Sequence, residues 1–302
     1  MLFIRYQKYF FAIPVLLSVA SLVALFVWGL KPGIDLKGGS LLQVSYEEVR
    51  PDAEAVHAVV RPLELGEVLV QPSGEKDYIL RQRELLPEEK IELMSSLQTL
   101  GKASEVQFNS IGPSIGAELL KKAWWAIALV VLSIIAFIAF AFRHVSKPVA
   151  SWKYGIVIIV TLLHDILIPA GLFAYLGYMY GAEVDSLFIV ALLTILGISV
   201  NDTIVVFDRV RENLKINIDK NIKEGFGEVV GRSIMQTLTR SLNTSITVII
   251  MLVSLYILGP EPTKNFSLTL MVGMIAGTYS SICLAAPLLV MIERWQKREE
   301  VA

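Results

Sequence analysis

Two aspartates stand in stretches of this chain that hold almost no other charge. Asp202 closes the run Asp185-SLFIVALLTILGISVN-Asp202, sixteen uncharged residues, and TIVVF follows it. Asp165 stands beside His164 inside GIVIIVTLLHDILIPAGLF. A carboxylate at the centre of a membrane-crossing helix costs about 2.5–3.5 kcal/mol on insertion scales. Such a group normally faces a protein interior or a water path and works there. Two of them point to chemistry with protons or ions. A basic partner is also available. Arg240 opens another apolar stretch and shares one helical face with Thr244 and Thr247 by i, i+4, i+7 spacing. An arginine near Asp202 would hold it ionised, or release it when its protonation changes. The same spacing leaves a second reading of Arg240, a side chain that only reaches back to the membrane surface.

The elements that carry these residues are apolar and long. The chain has 302 residues, of which 54% are hydrophobic, and its mean hydropathy is +0.60. That places it in the membrane class. A spanning helix needs about 20 mostly apolar residues, and six segments qualify: 10–30, 123–142, 154–178, 186–207, 242–258 and 266–292. The fifth is the shortest and begins with the polar group Asn243, Thr244, Ser245 and Thr247. The first reads as an uncleaved anchor, because its apolar stretch is long and WGLKPG offers no small-x-small cleavage site. The His164–Asp165 pair falls about eleven residues, or ~16 Å, into the third span, near the bilayer middle. On the fourth span Ile198, Asn201, Asp202 and Val205 share one face, with Asp202 toward its end. The sixth carries Gly273-x-x-x-Gly277, then Thr278, Ser280 and Ser281. These small residues suit close helix packing.

Charge fixes an expected orientation. One set of flanks holds Arg5 and Lys8; Arg143, Lys147 and Lys153; Arg209, Arg211, Lys215, Lys220, Lys223, Arg232 and Arg240; and Arg294, Lys297 and Arg298. The two short loops on the other side, near 179–185 and 259–265, hold only Lys264. By the positive-inside rule both termini are cytoplasmic and residues 31–122 lie outside. The stretch Asp208–Asn213 has mixed signs at helical spacing, which reads as a solvated, salt-bridged face. Residues 224–231 contain three glycines and read as a flexible connection, with no GxxxxGK[ST] phosphate loop.

Residues 31–122 are polar enough to fold in water. Strand is expected at 40–46, helix at 51–63, two strands at 67–71 and 78–83 around PSGEKD, helix at 87–100 and strand at 105–111. The order β-α-β-β-α-β is the ferredoxin-like split motif. The expected fold is therefore a six-span α-helical membrane protein with a small α+β domain between spans one and two. The rest, 123–302, forms a five-helix membrane domain. His57 has no second ligand at metal spacing and reads as a solvated or packing histidine. Cys283, the one cysteine, sits in an apolar run and reads as a small buried residue. No triad, nucleotide loop or metal cluster is visible, so no cofactor, metal or nucleic acid is expected.

Several of these stretches resemble SecF, the smaller membrane subunit of the SecDF complex of protein export, within the RND superfamily. SVNDTIVVFDRVRENL (199–214) resembles the fourth-span signature, Arg240 with SLNTSIT (241–247) the fifth, and GTYSSICLAAPLL (277–289) the sixth. LLHDILI (162–168), GIDLKGG (33–39) and IGPSIGAELLKKAWWA (111–126) extend the likeness over nearly the whole chain. One departure is Leu36-Lys37 between Asp35 and the glycine pair, where the SecF pattern has Phe-Thr and SecD looks closer. The short outside domain and the NDT, LNTS and GTYSS motifs outweigh it.

The resemblance implies a subunit of the cytoplasmic membrane that uses the proton gradient in late translocation. Its implied partners are SecD, the SecYEG channel, the exported unfolded polypeptide and membrane lipid. Asp202 is then the proton-responsive acid, Arg240 its basic partner and Asp165 a secondary acid. Asn201, His164, Asn243 and Thr244 are supporting intramembrane polar groups. The competing classes are a scaffold that only stabilises SecD and an RND-type small-molecule transporter subunit. An intramembrane Ser199–His164 hydrolase is a third, but the flanking residues form no nucleophile motif.

Overall fold

The computed structural model describes residues 7–141, 149–260 and 262–301. Arg5, Phe142, Arg143 and Lys147 lie outside the described residues, as do the side chains of Lys8, Lys297 and Arg298. The chain forms two compact units, Pro32–Trp125 and the remainder. The first extends three residues past the expected limit of 122, because a single helix runs from Pro113 to Ala141 without a break at the expected start of the second span.

The first span is α1 (Gln7–Trp28), and the smaller unit holds the helices α2 (Ile34–Lys37), α3 (Ala53–Val60) and α4 (Pro87–Gln98). The strands are β1 (Gly39–Tyr46), β2 (Leu69–Ser73), β3 (Asp77–Gln82) and β4 (Ala103–Ile111). They form one antiparallel sheet in the order β2-β3-β1-β4, the ferredoxin-like order. Period-two alternation puts Leu42, Val44 and Tyr46 of β1 beside Tyr78 and Leu80 of β3 on the buried face. Val56 and Val60 of α3, and Leu93 and Leu97 of α4, cover that face at helical spacing. Each such side chain contributes about 1.5–3 kcal/mol by leaving water. The expected helix at 51–63 ends its α turns at Val60 and finishes as a 3-10 turn, Arg61–Leu63, where Pro62 supplies no N–H.

The glycine pair at the start of β1 is required by geometry. Gly38 has φ +83°, and a Cβ there would lie 2.6 Å from Pro113 Cα. Gly39 has φ +134°, and its Cβ would meet the Gln82 carbonyl at 2.6 Å. The departure at Leu36 is accommodated in α2, where Ile34 and Leu36 are both buried.

The larger unit holds α1 and the long helices α5 (Pro113–Ala141), α6 (Ser151–Tyr180), α7 (Ser186–Asp219), α8 (Phe226–Leu258), α9 (Pro262–Ser280) and α10 (Ala286–Val301). Of α5, only the part from Ala126 onward belongs to it. A five-residue π-helical turn, Ser281–Ala285, joins α9 to α10. Among the described residues, six helical spans are long and apolar enough to cross a membrane, with α9 to α10 counted as one. Burial divides them. Half of the apolar window of α6 and 67% of that of α9–α10 are buried, against 17% for α1, α5 and α8. The polar residues of interest therefore sit on or against the central helices.

Small residues set the close contacts. A Cβ on Gly171 of α6 would lie 2.4 Å from Ser21 Cβ of α1, and one on Gly273 of α9 would lie 2.2 Å from Ile195 Cδ1 of α7. The Gly273-x-x-x-Gly277 stripe thus packs α9 onto α7, as its spacing predicts. Cys283 is buried in the apolar core of this unit.

Two helices run past the expected spans. α7 continues twelve residues beyond 207, and α8 starts sixteen residues before 242. The reading of 224–231 as a flexible connection is corrected: residues from Phe226 onward are helical. Gly225 is the N-cap, Glu228 accepts its N–H at 3.2 Å, and Phe226, Val229 and Val230 are buried at i, i+3, i+4 spacing. The mixed charges at 208–213 form surface ion pairs, Arg211–Asp208 at 2.6 Å and Arg209–Glu212 at 2.5 Å. Exposed pairs of this kind are worth about 0–1 kcal/mol.

Candidate functional site: a hydroxyl-held carboxylate in the helix core

Asp202 lies midway along α7, and three helices supply its surroundings. Its Oδ1 accepts a hydrogen bond from Ser241 Oγ of α8. Its Oδ2 accepts one from Ser281 Oγ at 2.6 Å, and Ser281 is the first residue of the π-turn. Each carboxylate oxygen therefore has one hydroxyl donor. Hydrogen bonds to an ionised acceptor are the strong ones, about 1.5–3 kcal/mol each. Ser241 is buried because its neighbours on α8 at helical spacing, Thr237 and Ser245, also face inward. Ser245 Oγ in turn bonds Thr278 Oγ1 of α9 at 2.5 Å. The result is a row of hydroxyls between α8 and the sixth span.

A cavity of about 200 Å³ opens beside Asp202. The four residues read as one face of the fourth span, Ile198, Asn201, Asp202 and Val205, all line it. So do Arg240, Ser241, Thr244 and Ser245 of α8 and Gly273, Gly277 and Thr278 of α9. The volume is several times that of a water molecule, and the polar lining suits water. Arg240 is exposed at the cavity. Among the described residues its side chain forms no ion pair or hydrogen bond, with Asp202 or otherwise. The expected direct Asp202–Arg240 contact is absent from this arrangement, and the two serines hold the carboxylate. Arg240 lines the same cavity as Asp202.

Asp165 occupies the middle of α6 and is 0% exposed. His164 Nδ1 lies 2.8 Å from its Oδ1, and its Oδ2 accepts from Ser199 Oγ of α7. Ser199 also lines the Asp202 cavity. One hydroxyl thus separates the buried acid from the cavity. Ser199 and His164 both bond to Asp165. A nucleophile–base pair needs the histidine to take the serine proton, and here the Ser199 hydrogen points at the carboxylate. His164 Nε2 is buried without a partner among the described residues.

Of the supporting residues, Asn201 and Thr244 line the cavity. Asn243 is exposed on α8, off the cavity, and its carbonyl accepts from Thr247. Sequence reasoning named neither Ser241 nor Ser281 as a functional residue. Serines in a span read as packing, and Ser281 lies 79 residues from Asp202. The available signal was that Ser241 adjoins Arg240 and that Ser281 follows the Gly273-x-x-x-Gly277 stripe at the i+4 position.

The chain matches two family models. Residues 92–295 match the family described as "Protein export membrane protein SecD/SecF, C-terminal", and residues 23–48, which contain Gly38 and Gly39, match the SecD/SecF GG motif. The protein translocase subunit SecF of Thermobaculum terrenum is 40% identical, over 98% of this chain and 94% of that protein. The SecF subunit of Anaerolinea thermophila is 35% identical, over 96% and 94%. Among solved structures, the crystal structure of SecDF, a translocon-associated membrane protein from Thermus thermophilus, superposes with a TM-score of 0.85 at 30% identity. That match covers 97% of this chain and 39% of that one. A structure of SecDF in a super-membrane-facing form gives 0.70 at 30% identity, with 39% of its chain covered. The six-span architecture with its ferredoxin-like unit, the glycine pair at the base of β1 and the full-length likeness agree: the chain belongs to the SecD/SecF family of protein-export membrane proteins, among its SecF subunits.

Proposed function

We propose that this chain couples the proton gradient across the cytoplasmic membrane to late steps of protein translocation, as the SecF-type subunit of a SecDF complex, with Asp202 as the proton-binding group. The observation that carries this reading is a carboxylate held by two hydroxyls, on the wall of a cavity it shares with an unpaired arginine. Protonation removes one negative charge there and changes what both serines must do. A proton falling through 100 mV supplies about 2.3 kcal/mol, enough to bias a two-state arrangement of helices. Arg240, which lines the same cavity, is its basic partner in this reading. Asp165, behind Ser199, is a second acid on the same route.

SecD is the first partner, and the SecYEG channel, the exported polypeptide and lipid follow from the same reading. The role is mechanical coupling and not catalysis of a covalent step. The charge asymmetry of the flanks supports cytoplasmic termini and an outer location for the ferredoxin-like unit. The test is Asp202→Asn in vesicles containing the complete export machinery. Gradient-dependent release of exported protein should be lost, while co-purification with SecD is kept. Unchanged gradient-dependent release refutes the reading. Parallel loss of assembly and export in Asp202 and Arg240 variants would favour a scaffold role instead.

A further inference from the structure

The π-turn is the least regular point of the sixth span. A π-turn behaves as an α-helix carrying one extra residue, and such turns collect at functional sites. All five of its residues, Ser281 to Ala285, are buried. Its first residue is also one of the two serines that hold Asp202. Ser281 Oγ lies 2.6 Å from Asp202 Oδ2 and 3.0 Å from the Thr278 carbonyl. The hydroxyl has one hydrogen, so these two acceptors compete for it.

We propose that Ser281 is a positioning residue that transmits the protonation of Asp202 to the π-turn, and so to the angle between α9 and α10. This rests on the reading of Asp202 as the proton-binding group. With Asp202 ionised, the Ser281 hydrogen goes to Oδ2. When a hydronium in the cavity gives its proton to Oδ2 and leaves as water, the new carboxyl O–H donates to Ser281 Oγ. The Ser281 hydrogen then turns to the Thr278 carbonyl, and no proton leaves the serine. A serine bonded back onto its own helix bends that helix. The loss of charge on α7 thereby becomes a bend in the sixth span. The other charged or titratable groups near Asp202 are Arg240 on α8, and Asp165 with His164 on α6 behind Ser199. Among the described residues, α9 brings no charged side chain to the cavity wall.

Spin labels on Ile275→Cys and Met291→Cys, both exposed and on either side of the turn, report the angle in the full chain in lipid nanodiscs. Cys283→Ala removes the native thiol. Between pH 3 and 9 the distance should shift by about 1.5–3 Å, the rise of one or two helical residues. Asp202→Asn should hold the low-pH distance at every pH. Ser281→Ala should abolish the shift, and Ser281→Thr should restore it. A shift that survives Ser281→Ala overturns the inference, and leaves the reading of Asp202 standing if Asp202→Asn still abolishes it. A shift that survives Asp202→Asn overturns both. No shift in the Ser281-containing chain also overturns the inference. If Ser281→Ala does not fold, deletion of Ile282 provides the same test, because it converts the π-turn to α and keeps the facing of both flanking helices. The shift should then be lost, and its persistence refutes the proposal.

Discussion

Ser199→Ala tests the buried acid directly. The serine is 4% exposed and donates to Asp165, which is 0% exposed and whose other side-chain partner among the described residues is His164. Serine and alanine differ by one oxygen, so little cavity forms, and the cost is that of the hydrogen bond. For a bond to a charged group this is about 1.5–3 kcal/mol. A domain of this size shifts its Tm by roughly 2–4 °C per kcal/mol, which gives a fall of roughly 3–12 °C. The assay is thermal unfolding of the full chain in nanodiscs, followed by tryptophan fluorescence. The same substitution in an Asp165→Asn background separates bond from packing. With a neutral acceptor the bond is worth about 0.5–1.5 kcal/mol, so Ser199→Ala should cost about 1 kcal/mol less there. Distant, independent sites add within about 0.5 kcal/mol. Equal costs in the two backgrounds, or a fall below about 1 °C in either, would refute the assignment of a charge-assisted Ser199–Asp165 bond.

Two further outcomes concern the smaller unit. Gly38→Ala places a methyl 2.6 Å from Pro113 Cα at φ +83°, and should lower the stability of that unit by about 1–3 kcal/mol, read by urea unfolding. Glu89 at the start of α4 is held down at about 2, chiefly by its bond to Arg83 and next by the Leu86 N–H, against 4.5 unperturbed. Its contribution is therefore complete above pH 4.5 and fades as pH falls toward 2. Glu89→Gln should flatten the pH dependence of α4 amide protection in that window, measured by hydrogen exchange. An unchanged slope would count against the pairing.

Much of the fold was legible because its signals are local. The strands alternate with period two, so β1 and β4 were readable within two residues at each end. The spans are long apolar runs. Asp202 stood out because charge inside such a run is rare, and three of its cavity neighbours on α7, Ile198, Asn201 and Val205, follow from helical spacing alone. The rest depends on which helices meet. Ser241 and Ser281 carry no charge and share no local pattern with Asp202; only the packing of α8 and the π-turn against α7 brings them to it. The extension of α7 and α8 was hidden by composition. Polar helices outside a bilayer look like loops when three glycines fall within eight residues, and only the burial of Phe226, Val229 and Val230 outweighs that cost. The π-turn has no sequence signature in SICLA.

The polar contacts beyond the fourth and fifth spans limit what kind of motion is open to the site. Asn213 bonds Ser233 and Gln236, Arg209 bonds Gln236, and Arg232 bonds Asn217. All four join α7 to α8. Sliding one helix along the other by a turn would break them together, at roughly 2–6 kcal/mol if each is worth about 0.5–1.5. Leaving the buried Asn213 amide unsatisfied would add about 1–3 kcal/mol. One proton crossing 100 mV yields about 2.3 kcal/mol, which does not cover that cost. Axial slip between α7 and α8 is therefore closed to a single proton. The helices that carry Asp202 and Arg240 behave as one rigid strut, against which the other spans must move.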